Sequence, residues 1–294
     1  MQFKPPGQED RRLAIGPIDH LPGTVQHLLD PSSFDPMIVP GPTDWLAVHP
    51  EPGQSYGRFL RSHPNFPDHT RNTIYLQPLE EFPADAPPLA RLKAFTEAFF
   101  SMAVQVLPVP PQGLGKITTR VNSSTHRIQL LTEDILTLLQ KRLPGNAYCL
   151  LGITLRDLYP EPAWNFVFGQ ASLDERVGVH SFARYDPRFE GANRPDRAQL
   201  MLRRSCRLLA HETAHMFGIE HCIYFRCVMN GSNTLPEDDS QPLHVCPVDL
   251  RKLYVSIKFD PVARYAHLRD FYREAGFKDE ANWIEKQLKS VVSN

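Results

Sequence analysis

Residues 211–230 read HETAHMFGIEHCIYFRCVMN, a stretch dense in side chains that bind metals or move protons. In a helix, His211 and His215 differ by about 40° around the axis, so both imidazoles project from one face, a turn apart. Such a pair can reach a single zinc ion, whose bonds to imidazole nitrogen are about 2.0–2.1 Å. Glu212 stands one step further round, too far to join the ligand set but placed to reach a water beside the metal, as in the H-E-x-x-H arrangement. His221 is the candidate third ligand. A continued helix would carry it about 120° away from His215. Gly218 removes the problem, because glycine enters the left-handed region without a Cβ penalty and can turn the chain back. Three histidines leave the fourth position open, which a catalytic zinc requires and a structural zinc does not.

These residues need a helix that ends on time. The pattern predicts one from about 196 to 217, opening near Asp196 and ending at the glycine turn. Upstream, LARLKAFTEAFFSMAVQVL (89–107) carries apolar residues at helical spacing and predicts a helix running to the PVPPQG breaker. RIQLLTEDILTLLQKRLPG predicts a short strand and then a helix, with Thr132 as N-cap and Glu133 and Asp134 in its first turn. AYCLLGITL, NFVFGQAS and VGVHSFARY are β-prone runs between Gly, Pro and Asp signals. After residue 246 the chain predicts helices again. The expected fold class is α/β, with helices and strands alternating before the long helix, a proline-rich front and a helical tail.

Proline divides the chain. Sixteen of the 28 prolines fall in residues 1–88, where they disfavour long helices and central strands. Residues 1–88 are therefore expected to be a proline-rich extension packed on the core and without chemistry of its own. Residues 89–294 are expected to be the catalytic domain, with a small helical subdomain at 222–294.

Composition narrows the partners. Hydrophobic residues make up 41% and charged residues 22% of 294, with a formal net charge of −1, the make-up of an ordinary globular protein. Lysine and arginine form no long run, so neither nucleic acid nor an anionic membrane is expected as partner. No stretch reaches the eighteen or so apolar residues of a membrane span, and the N-terminal MQFKPPGQEDRRLAIG has no apolar signal region. Three of the five cysteines, Cys222, Cys227 and Cys246, cluster within 25 residues. Without a signal peptide, such clustering reads as metal ligation before disulfides, and the expected compartment is cytoplasmic. Cys149 and Cys206 read as packed thiols.

Residues 211–221 match H-E-x-x-H-x-x-G-x-x-H, the extended metzincin signature, and the residues that follow narrow the resemblance. Cys222 comes directly after the third histidine, Cys227 after four more residues, Met229 next but one, and CPVD begins at 246. This resembles the archaemetzincin family, whose pattern continues with C-x4-C-x-M and a later C-x-x-C. LRRSC, NFVFGQA and SFAR also sit where similar stretches occur in that family, and the resemblance covers roughly residues 90–255. It implies a metzincin-like zincin core, a mixed twisted sheet plus the active-site helix. It also implies that His211, His215 and His221 bind a catalytic zinc, that Glu212 is general base and acid, and that Met229 is the methionine of the Met-turn, packed under the histidines. It further implies a second, structural zinc held by Cys222, Cys227 and Cys246. Where the family has its last cysteine, this chain has Asp249. A carboxylate oxygen can bind zinc at about 2.0–2.2 Å, so Asp249 is the expected fourth ligand and His244 the alternative.

The expected activity is zinc-dependent hydrolysis of peptide bonds, with a peptide or protein as substrate. VGVHSFARY (177–185) is expected to be the edge strand that pairs with extended substrate, with His180 more in keeping with a core or solvent position than with the cleft. The competing reading is a catalytically silent zinc-binding protein of the same fold that acts as a peptide-binding module. Retention of Glu212 favours the enzyme, since binding alone does not need it. A nucleic-acid-binding zinc finger lacks the basic stripe and interleaved aromatics such a role requires.

Overall fold

The computed structural model describes residues 3–110 and 115–292. The chain divides into two compact units. One comprises Met1–Phe66, Ala98–Ser101 and Phe217–Asn294, the other Pro67–Glu97 and Met102–Met216.

The second unit is built on a five-stranded sheet. Its strands are β1 (Thr73–Pro78), β2 (Ala103–Val106), β5 (Ala147–Thr154), β7 (Gly169–Ser172) and β8 (Val177–Ser181), in the order β2-β1-β5-β8-β7. All neighbours are parallel except β7, which runs antiparallel to β8. A smaller sheet joins β3 (Thr119–Val121), β4 (Ile128–Leu131) and β6 (Asp157–Tyr159) in the order β3-β4-β6. β1, β5 and β8 are buried along their whole length, which explains why they read as continuous apolar runs instead of alternating ones.

The helix Thr132–Gln140 covers one face of the large sheet. Its Ile135, Leu136 and Leu139 share a core with Leu150, Val177 and Val179. Because side chains alternate along a strand, His180 points to the other face, on the side of the helix Arg197–Met216. That helix packs on β7 and β8. The architecture is mixed α/β.

Four local expectations need correction. Central strands are disfavoured in residues 1–88, yet Thr73–Pro78 is β1, between β2 and β5, with a proline only at its last position. The helix that starts at Leu89 ends at Phe100, and residues 103–106 are β2; the apolar run continues, but AVQV pairs with β1 and gains its hydrogen bonds there. The last part of the PVPPQG breaker lies outside the described residues. Thr132 is the first residue of its helix and not its cap. Its buried hydroxyl donates to the Tyr159 carbonyl at 3.3 Å and contacts Gln170, so it is spent between elements. β8 is not an edge, since it lies between β5 and β7; β7 is the edge on that side and β2 the edge on the other.

The first unit is helical. Helices Gln8–Ile15 and Tyr56–Arg61 pack on Pro247–Ile257, and Gly23–Leu28 packs on the antiparallel pair Pro261–Ala275 and Lys278–Val292. The early prolines cap or interrupt short pieces, and their apolar residues, such as Leu28, Phe34, Leu46 and Phe59, are buried. Among the described residues no helix is long and apolar enough to cross a membrane.

Candidate metal centres

The helix Arg197–Met216 is anchored at both ends within its own unit. At its start, Arg197 makes a two-pronged ion pair with Asp186, Nε to Oδ1 at 2.8 Å and Nη2 to Oδ2 at 2.6 Å. Burial pushes the Asp186 carboxyl up, but hydrogen bonds from Arg197 and Arg188 outweigh it and hold the group well below its ordinary range. At the other end, the Tyr148 hydroxyl on β5 donates to the Met216 carbonyl at 2.9 Å, satisfying a C-terminal acceptor that has no partner inside the helix.

On the last turns, His211 and His215 bring their Nε2 atoms to 3.1 Å. Two nitrogens on one tetrahedral zinc stand about 3.3 Å apart, so this pair fits a shared ion. Glu212 is half-buried beside them. His180 is fully buried, its pKa lowered to about 3 by burial and by its proximity to His215, so it is a neutral core residue. A Cβ on Gly169, its partner across the β7–β8 ladder, would come within 2.5 Å of the His180 ring, so the close approach needs glycine there.

In the other unit the chain resumes with Gly218 at φ +78°, the left-handed conformation anticipated for it. Gln54, from the proline-rich segment and only 1% exposed, clamps this turn. Its Nε2 donates to the Gly218 carbonyl at 2.9 Å, and its Oε1 accepts from the Glu220 amide at 3.2 Å. His221 donates Nδ1–H to Glu51 Oε1 at 2.8 Å, and the edge of its ring meets Trp45. Nothing local in the sequence marks Gln54 or Glu51 as partners of a motif more than 160 residues away.

Cys222, Cys227, Cys246 and Asp249 form a second group. Their ligand atoms all lie within 4.8 Å of one another, and all four residues are buried. Cys222 and Cys246 sulfurs are 3.5 Å apart, and Asp249 Oδ2 is 3.3 Å from Cys227 and 3.5 Å from Cys246. The three cysteines are free thiols. Burial opposes charge on Cys222, yet hydrogen bonds from Cys227 and Cys246 and from the backbone hold this thiol well below its ordinary range. Cys227 and Cys246 are pushed up by burial, and Asp249 is raised to about 6 by burial against the pull of Lys252. Three thiols and a carboxylate converge here in a buried pocket without forming a disulfide, a donor set that suits a four-coordinate zinc. His244 instead stacks its ring on Trp283, centroids 3.7 Å apart.

The loop between is held by Asn230, another residue the motif does not announce. Its Oδ1 accepts from the Cys227 amide at 2.7 Å, while its Nδ2 donates to the Cys222 and Phe225 carbonyls at 2.8 and 2.9 Å. Met229 is fully buried, and its carbonyl accepts from the Cys222 amide at 2.8 Å. Cys149 and Cys206 are buried, and burial raises both thiols.

Comparison with known proteins places the chain. A profile described as Peptidase family M54 matches residues 116–254. Archaemetzincin-2 of Pongo abelii is 36% identical over 270 residues, spanning 80% of this chain and 73% of its own length. Archaemetzincin-1 of Homo sapiens is 33% identical over 264 residues, spanning 80% of this chain and 53% of its own. Among solved structures, a zinc-dependent peptidase from Methanocorpusculum labreanum (strain Z) shares the fold at a TM-score of 0.50 and 22% identity, covering 61% of this chain and 99% of that one. On the strength of the extended match to its relatives, the chain belongs to the archaemetzincin family, peptidase family M54, and is a zinc metallopeptidase.

Proposed function

We propose that the chain hydrolyses peptide bonds at a zinc held by His211, His215 and His221, with Glu212 as general base and acid. The observation that carries this reading is the His211–His215 pair, two Nε2 atoms 3.1 Å apart on one helical face with Glu212 between them in sequence. The left-handed Gly218 supports His221 as third ligand, because it ends the helical path that would carry that ring away. Bound zinc supplies Lewis acidity toward the attacking water and the scissile carbonyl. Glu212 takes the proton of that water and returns it to the leaving amine, so no nucleophilic side chain is required. His180, buried and neutral beneath the pair, adds no positive charge against the metal.

The edge strand β7 is the element suited to hold extended substrate, since among the described residues no strand pairs with its outer side and it packs on the histidine helix. We assign residues 89–294 to catalysis, Met229 to packing of the Met-turn, and Cys222, Cys227, Cys246 and Asp249 to a second, structural zinc. Digestion of a peptide library by the wild type beside Glu212→Ala, with cleavage sites read by mass spectrometry, tests the reading. Cleavage by the wild type alone is the expected result. A wild type that binds zinc and cleaves nothing would leave a peptide-binding module in place of the enzyme.

A further inference from the structure

The segment 45–51 lies against His221 in a specific way. Glu51 Oε1 accepts two hydrogen bonds, from His221 Nδ1 and from Trp45 Nε1, each 2.8 Å long. Trp45 is itself held in place. Its amide donates to Glu237 Oε1 at 2.9 Å, and its indole lies where a Cβ on Gly231 would stand, 2.5 Å away. The His221 ring meets the Trp45 ring edge-on, at a centroid distance of 5.1 Å and an interplanar angle of 83°. Glu51 and His221 are 24% and 21% exposed, so the pair is shielded enough for the hydrogen bond to set the ring's orientation.

An ionised carboxylate only accepts, so the proton of the neutral imidazole must sit on Nδ1. That tautomer puts the ring's lone pair on Nε2, the nitrogen a metal can then use. Resting on the assignment of His221 as a zinc ligand, we infer that Glu51 is a positioning residue for the catalytic zinc: it fixes the tautomer and rotation of the His221 ring, with Trp45 locking the carboxylate. The proline-rich segment then completes the metal site from outside the signature motif instead of merely packing on the core.

Zinc release from the full chain under graded competition by a chelator tests this. His221→Ala identifies which release step belongs to the histidines. Glu51→Ala is expected to move that step alone, weakening retention by about 10- to 100-fold, and to leave the other step in place. Glu51→Gln keeps an oxygen acceptor without the charge and should fall between, which guards against misfolding of the alanine variant. If His221→Ala moves no step, the assignment of His221 fails and the inference with it. If His221→Ala moves a step while both Glu51 variants release zinc like the wild type, the inference alone is overturned, even if they melt earlier. Tighter zinc retention by Glu51→Ala would also overturn it, since the carboxylate would then be obstructing the site.

Discussion

Lys252 Nζ lies 2.8 Å from Asp249 Oδ1, and the two side chains are 1% and 0% exposed. The other oxygen of the same carboxylate faces the thiols of Cys227 and Cys246. Three thiolates and a carboxylate around a divalent ion would leave a surplus of negative charge in this buried pocket, and the buried ammonium would offset part of it. Removing one member of a buried pair strands the other. Lys252→Met should therefore lower stability by about 3–5 kcal/mol in denaturant titration. An unchanged midpoint would mean that the lysine compensates nothing.

Glu212→Ala should lower turnover by about 10²- to 10⁴-fold while zinc content and melting temperature stay at wild-type values. Substantial residual hydrolysis in the metal-replete variant would remove Glu212 from the proton-transfer role.

Gly218 at φ +78° is tolerant of no β-branched residue, and a new Cβ would press on Pro64 at 3.4 Å. Gly218→Val should cost on the order of 1–3 kcal/mol and weaken zinc retention at the histidines. Normal melting and normal retention would show that the turn forms equally well without glycine.

Elemental analysis of chelator-free protein should find two zinc ions per chain. Cys227→Ser should lose one of them and melt earlier, because structural zinc binding is folding energy. One zinc in the wild type, together with wild-type melting of Cys227→Ser, would count against a structural site.

Acid should loosen the start of the histidine helix. Asp186 is held below its ordinary range by Arg197 and Arg188, so its contribution is present at neutral pH and is lost as pH falls below about 4. Asp186→Asn should cost about 1.5–3 kcal/mol at pH 7 and markedly less at about pH 2. A cost that stays the same across that range would exclude the ion pair as its source.

Much of the candidate site was legible because it is local. The spacing of His211 and His215 sets their common face through helix geometry alone. Gly218 marks the turn through its missing Cβ, and Cys222, Cys227 and Cys246 declare a metal cluster by proximity in sequence. The helix 197–216 and strands β5, β7 and β8 were equally readable from their apolar patterns. The helix expected through residue 107 failed where pairing with β1 outweighed helical periodicity. The edge strand was misplaced because strand order depends on hydrogen bonds between distant segments. Thr132 looked like a cap, yet its hydroxyl bonds across to Tyr159. The sequence by itself determined the candidates for the chemistry: side chains able to bind zinc and a carboxylate able to move a proton. Only the tertiary structure decided what holds them, for Glu51 on His221 and Gln54 on Gly218 are contacts across more than 160 residues that no local periodicity encodes.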